Sequence, residues 1–225
     1  PVDVAATSIE LSNGWNWISY LPQTGMVIES ALSSLGDDAL YIKGQTNFAQ
    51  YYSNSPLAWV PDIVLEPTQG YMLNMNVAST LTYPAGSFLS YHVDLDYDNK
   101  LNPMMVDLNP HEYQYNGSVT AMVEIDGINV GSEEDQLAVF VGGECRGSIN
   151  GLYVPFIDSY IFPLMAYSNL FEEEMSFDFY YAEEGVTYEN ISIILFKEDM
   201  IYGNVMDAYR INIQSKNIKP ISTRL

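Results

Sequence analysis

Three groups of residues have types and spacings that could do chemistry. The first is a set of alternating acids, Asp94, Asp96 and Asp98, followed by Asn99 and Asn102. Alternate spacing gathers several hard oxygens from one short loop, the ligand set that Ca2+ prefers. Against an EF-hand loop the match is partial: the sixth position is Asn99 where Gly makes the sharp turn, and the twelfth is Met105 where a bidentate Glu belongs. The same residues also read as a strand with Val93 and Leu95 on one face and the acids on the other. Glu133 and Asp135, with Glu134 between them and Asp126 nearby in sequence, form a second acidic candidate, read otherwise as a solvated turn. Ca2+ is the one cofactor these patterns suggest.

The second group is aromatic. Trp15, Trp59 and Tyr51 are candidate platforms on which sugar rings could stack, with Trp17 and Tyr52 beside them. Trp15 and Trp17 share one face if this stretch is a strand, because side chains alternate with period two. Lying next to Ile18 and Leu21, at least one of them is expected in the core. The third group lies at the chain ends. Val2, Val4 and Ile9 give residues 1–11 a strand-like character, and Arg210, Lys216 and Lys219 mark a basic tail around the strand-like run 209–213. A terminal strand is held either by its own sheet or by adding to a neighbour's open edge.

Catalytic signatures are missing from the sequence. The two histidines, His92 and His111, have no zinc-type spacing. The single cysteine, Cys145, lies in Gly-Gly-Glu-Cys-Arg-Gly; Arg146 beside it could lower its thiol pKa, but no motif brings a histidine to it. There is no Gly-x-Ser-x-Gly elbow and no glycine-rich phosphate loop. A carboxylate pair of the glycosidase kind cannot be picked out of 29 acids.

These residues need a scaffold, and composition says which kind. The 225 residues include 18 Tyr, 9 Phe and many Val and Ile, which suit pleated, half-buried surfaces. The net charge of −21 argues against nucleic acid and against anionic membrane surfaces. It fits divalent cations, neutral glycans or a salty medium that screens self-repulsion. The charge is uneven: residues 206–225 hold Arg210, Lys216, Lys219 and Arg224 against Asp207, while residues 1–205 hold the other four bases against 28 acids. No run of 18 apolar residues occurs, so no membrane-spanning helix is expected.

One stretch, residues 26–36, predicts a short helix: Ile28, Ala31, Leu32 and Leu35 recur at helical spacing and Gly36 supplies a stop. Elsewhere short β-like runs are broken by Gly, Pro, Asn and Asp. They fall at 15–21, 40–43, 48–52, 70–75 and 80–83, then at 119–125, 137–141, 161–167, 175–181, 191–196 and 209–213. This rhythm predicts a mostly β chain of two tandem β-sandwich-like domains, the first carrying the helix. The loosened pattern before Pro110 sets the expected bounds at 1–87 and 112–225, with a linker at 88–111.

The first part carries Gly-Trp-Asn-Trp-Ile-Ser at 14–19 and Gly-Tyr-Met-Leu at 70–73; the second carries Ala-Val-Phe-Val-Gly-Gly-Glu-Cys-Arg-Gly at 138–147 and Phe-Pro-Leu-Met-Ala-Tyr at 162–167. As a set these motifs resemble tandem accessory modules of secreted and surface proteins of Bacteroidetes-like bacteria, over roughly residues 8–84 and 112–214. The resemblance implies an extracellular, β-rich accessory role and brings no catalytic residues with it. The expected function is a non-catalytic extracellular structural or adhesive module that associates with itself or with another surface protein through its terminal strands. The alternative is a carbohydrate-binding module of a larger secreted enzyme.

Overall fold

Alternation of apolar and polar residues lets each strand give one face to a core. The computed structural model describes residues 7–53, 58–84, 108–216 and 221–222. The chain is mostly β, in largely antiparallel sheets, with one α-helix among the described residues. It divides into two compact units, Pro1–Asp98 and Asn99–Leu225.

The first unit contains β1 (Ile9–Leu11), β2 (Gly14–Ser19), β3 (Met26–Val27), α1 (Ile28–Ala31), β4 (Ala39–Lys43), β5 (Phe48–Tyr51), β6 (Trp59–Val60), β7 (Val64–Leu65), β8 (Gly70–Met75) and β9 (Ser79–Leu81). The main sheet runs β2-β8-β4-β5-β6, with every neighbour antiparallel. β1 pairs with β9, and β3 with β7. Ile18, Ile42, Ala49, Leu73 and Met75 line the core face of the sheet, and Ile28, Ala31, Leu32, Leu35 and Leu65 pack against them.

The helix is shorter than its apolar spacing predicts. Residues 26–27 are a strand, α1 is one turn, and Gly36–Asp38 is a separate 3-10 turn. Val27 at the N-cap makes no side-chain cap, and Ser33, Ser34 and Gly36 are weak helix formers. The four apolar residues are buried all the same, so the spacing marks what faces inward without requiring a continuous helix.

The second unit contains β10 (Tyr115–Ile125), β11 (Ile128–Val130), β12 (Gln136–Val141), β13 (Glu144–Asn150), β14 (Leu152–Val154), β15 (Ser159–Ser168), β16 (Glu172–Tyr181), β17 (Val186–Lys197), β18 (Ile201–Tyr202), β19 (Tyr209–Ile213) and β20 (Ile221–Ser222). One sheet follows β11-β10-β15-β14, with β18 and β19 added to β10 in parallel. The other follows β13-β12-β16-β17-β20. The two form a sandwich around Val119, Ala121, Val123, Phe162 and Leu164 from one sheet and Leu137, Val139, Phe177, Phe179 and Phe196 from the other. Phe162 meets Phe179 edge to face at 5.6 Å between centroids. At one crossing the sheets approach so closely that only glycine fits: a Cβ on Gly147 would run into the Met165 carbonyl oxygen.

Candidate functional site

The exposed aromatic surface of the first unit starts in the turn before β2. Gly14 has φ +85°, a conformation that glycine adopts without strain. The Asn16 side chain ties the turn by donating to the carbonyls of Ser12 (2.8 Å) and Gly14 (2.9 Å), while its amide oxygen accepts from the Ser12 N–H at 2.9 Å. Asn16 and Ile18 thus face one way along β2, and Trp15, Trp17 and Ser19 face the other.

β2 is the edge strand of its sheet, and its outward tryptophans remain open: Trp15 is 44% and Trp17 78% exposed. Register extends both across the sheet. Trp17 lies opposite Met72, which is opposite Lys43, which is opposite Phe48. Trp15 lies opposite Asn74, then Tyr41, then Gln50. Trp15 meets Tyr41 edge-on at 6.0 Å, and Tyr41 stacks on Phe48 at 5.8 Å with the rings 13° apart. Tyr41 and Phe48 are themselves buried, so the open part of this face is Trp15 and Trp17, backed by the buried rings and flanked by the half-buried Asn74. Such a surface can take the apolar face of a ring while amide groups bond its hydroxyls.

The other aromatic candidates are placed differently. Trp59 is only 5% exposed and packs in the core, 5.3 Å from Tyr51. The expectation that Trp59 is a platform is therefore corrected: β6 pairs with β5 so that Trp59 and Tyr51 share the core-facing side. Tyr51 is half-buried and donates its hydroxyl to Asp37 Oδ1 at 2.7 Å, a bond that pushes its pKa up. Neither Trp15 nor Trp17 is a core residue, contrary to the expectation that one would be.

The acidic candidates do not form a cluster among the described residues, where no group of three or more His, Cys, Asp or Glu side chains converges. Asp94, Asp96 and Asp98 lie outside the described residues. Asp135 is buried, where it locks a corner of the sandwich. Its Oδ1 accepts from the Ala182 N–H at 2.7 Å, its carbonyl from the Gly151 N–H at 3.1 Å, and its own N–H donates to Ser132 Oγ at 3.2 Å. Burial pushes its carboxyl pKa up. Glu133 contributes its backbone carbonyl, which accepts from Asn150 at 2.8 Å. Asp126 turns instead to the tail, accepting from the N–H and the hydroxyl of Ser215, which hold its pKa down.

Cys145 is buried, and that burial raises its thiol pKa, with Asp178 and Glu144 adding to the rise. Arg146 does not activate it. The guanidinium pairs with Glu173 and Glu144, each at 3.4 Å, and sits 5.0 Å over the Tyr113 ring, whose hydroxyl donates to Glu144 at 2.7 Å.

Where they are described, the terminal residues proposed for assembly belong to strands or turns held within their own units, although Arg210 and Lys216 stay exposed. Ile9 pairs with Leu81 within the first unit. Arg210 lies opposite Met122 in the β19–β10 pairing and bonds Glu124 Oε1 at 2.6 Å. These strands are held by their own sheets because β1 and β19 each complete a local edge. Lys216 follows Ser215 at the Asp126 latch and is exposed; Val2, Val4 and Lys219 lie outside the described residues.

No protein-family model matches the chain, and no curated protein or solved structure matches it.

Proposed function

We propose that the chain is a non-catalytic, extracellular binding module that holds a neutral glycan on the outward face of β2. The observation that carries this reading is the pair Trp15 and Trp17, exposed side by side on one face of an edge strand whose backbone is fixed by pairing and by the Asn16 turn. A solvent-facing tryptophan as open as Trp17 contributes little to folding, while a ring stacked on it gains apolar contact. The net charge of −21 selects against acidic polysaccharides. Extracellular placement is part of the same proposal and is supported by the motif resemblance. An adhesive role is the form this binding would take on a surface. The test is depletion of the protein from solution by a panel of insoluble neutral polysaccharides, repeated with Trp15→Ala and Trp17→Ala. Retention by none of them, or retention that both variants keep unchanged, refutes the proposal.

A further inference from the structure

β2 is open along one side as well as on one face. The Tyr20 N–H donates to the Gln69 carbonyl at 3.0 Å, and Tyr20 continues the register that sets Ser19 against Gly70. Bonded and non-bonded pairs alternate in an antiparallel ladder, so Gly14, Asn16 and Ile18 bond β8, while the N–H and C=O groups of Trp15, Trp17 and Ser19 point away from it. Consistent with that direction, the Ser19 carbonyl accepts from the Tyr83 hydroxyl at 3.0 Å, a partner outside β8. Among the described residues no strand pairs with β2 on that side, and no hydrogen bond reaches the Trp15 or Trp17 main chain there.

The exposed rings run along the strand and not across the sheet. Trp15 and Trp17 are two residues apart, which sets their Cα atoms about 7 Å apart on a nearly straight line. Across the sheet, Trp17 is followed by the half-buried Met72 and the buried Lys43, and Trp15 by the half-buried Asn74 and the buried Tyr41. Along β2 the row extends to Ser19, which is exposed on the same face.

Resting on the glycan reading of this face, we infer that the ligand is a linear chain of neutral pyranoses joined through equatorial bonds and lying parallel to β2. Sugars of the glucose type project their hydroxyls from the rim of the ring and leave apolar C–H faces above and below. Equatorial linkage keeps successive rings in one flat ribbon. Two rings of one ribbon can then stack on Trp15 and Trp17 together, while hydroxyls on its rim bond the outward main-chain groups of the same two residues.

The groups that meet the hydroxyls are main-chain amides, which are neutral and, like a hydroxyl, both donate and accept. They suit an uncharged chain. An axially linked chain coils, so its consecutive rings turn their faces away from a straight row and only one of them can stack at a time.

The test is isothermal titration calorimetry of the full chain with cello-, xylo- and chito-oligosaccharides, from the monosaccharide to the hexasaccharide, beside malto-oligosaccharides of the same lengths. In at least one equatorially linked series affinity should rise on the order of tenfold from disaccharide to tetrasaccharide and then level off, with the axially linked series weaker at every length. Amide hydrogen exchange on the unmodified chain reads the edge directly and depends on no variant folding: the Trp15 and Trp17 N–H groups should exchange fast alone and slowly with the best-bound tetrasaccharide. Equal affinity for the axially linked series, no gain with chain length, or bound sugar that leaves both amides unprotected would overturn the inference while leaving a glycan site on β2. Protection of the same amides by rising protein concentration without sugar would mean strand addition by a second copy, and would overturn it too. Binding of no oligosaccharide and no insoluble polysaccharide would remove the glycan reading itself, and the inference with it.

Discussion

Replacing Trp17 by Ala removes the most exposed ring on the β2 face, and its cost to binding can be worked from the fraction left open. A tryptophan side chain offers up to roughly 250 Å² to a contact, so at 78% exposure about 200 Å² is available, of which a flat ligand covers about half. At about 25 cal/mol per Å² that contact is worth about 2.5 kcal/mol, and ordering the ligand offsets part of it. Affinity for a polysaccharide ligand should fall on the order of tenfold or more, since each 1.4 kcal/mol is about a factor of ten. Trp15, at 44% exposure and already touching Tyr41, should cost about half as much free energy. Stability should barely change, because a surface substitution away from caps and turns stays within about 0.5 kcal/mol. The assay is a binding isotherm on the insoluble ligand beside a calorimetric melt of each variant. Equal affinity in Trp17→Ala and the parent chain would refute the reasoning. So would a large fall in melting temperature, which would mean that the ring is structural.

Other outcomes follow from the second unit. Gly147→Ala drives a methyl into the Met165 carbonyl and should cost about 3 kcal/mol, lowering that unit's melting temperature on the order of 10 °C in scanning calorimetry. Burial raises the pKa of Asp62, Asp135 and Asp178, so the native chain binds protons more tightly than the unfolded one. Their contribution to stability is fully present below the unfolded carboxylate value of about 4 and is lost as pH rises through the raised native values; Asp178→Asn should flatten that slope, and an unchanged slope would reject the assignment. Asp126 and Glu144, held low by Ser215 and by Tyr113 respectively, act in the opposite sense, their contribution vanishing as pH falls through their native values. If the alternating acids Asp94, Asp96 and Asp98 hold Ca2+, a hundredfold excess over Kd adds about 2.7 kcal/mol and a visible rise in melting temperature; no rise in scanning calorimetry refutes Ca2+ binding by these acids.

The strands were legible because their alternation is strong. The runs at 70–75 and 209–213 coincide with β8 and β19, and most others differ only by a few residues at their ends. The helix at 26–36 was overdrawn, since burial of Ile28, Ala31, Leu32 and Leu35 is satisfied by one α turn and a chain of tighter turns. At the candidate site, the common face of Trp15 and Trp17 followed from period two, but its direction did not. That depends on which neighbour enters the core, and Asn16 with its turn bonds fixes Ile18 inward. Trp59 misled for a related reason: a two-residue strand has too little pattern to show its buried side. Tyr41 and Phe48 gave no signal until register brought them into the rows of Trp15 and Trp17.

The parallel pairing of β19 with β10 bears on how the chain is made. β10 begins the second unit's sheet and β19, some eighty residues later, is laid directly against it with register from Ala121↔Tyr209 to Ile125↔Ile213. A nascent chain emerging from the ribosome exposes the edge of β10 throughout synthesis of the intervening strands, and the sandwich closes only when β19 arrives. The first unit has no such wait: among the described residues its last pairing, β1 with β9, is in hand by Leu81. Synthesis therefore delivers the first unit ahead of a second that stays open to mispairing until nearly its end, and a chain truncated before Tyr209 should aggregate through its second unit while limited proteolysis still releases a folded first unit.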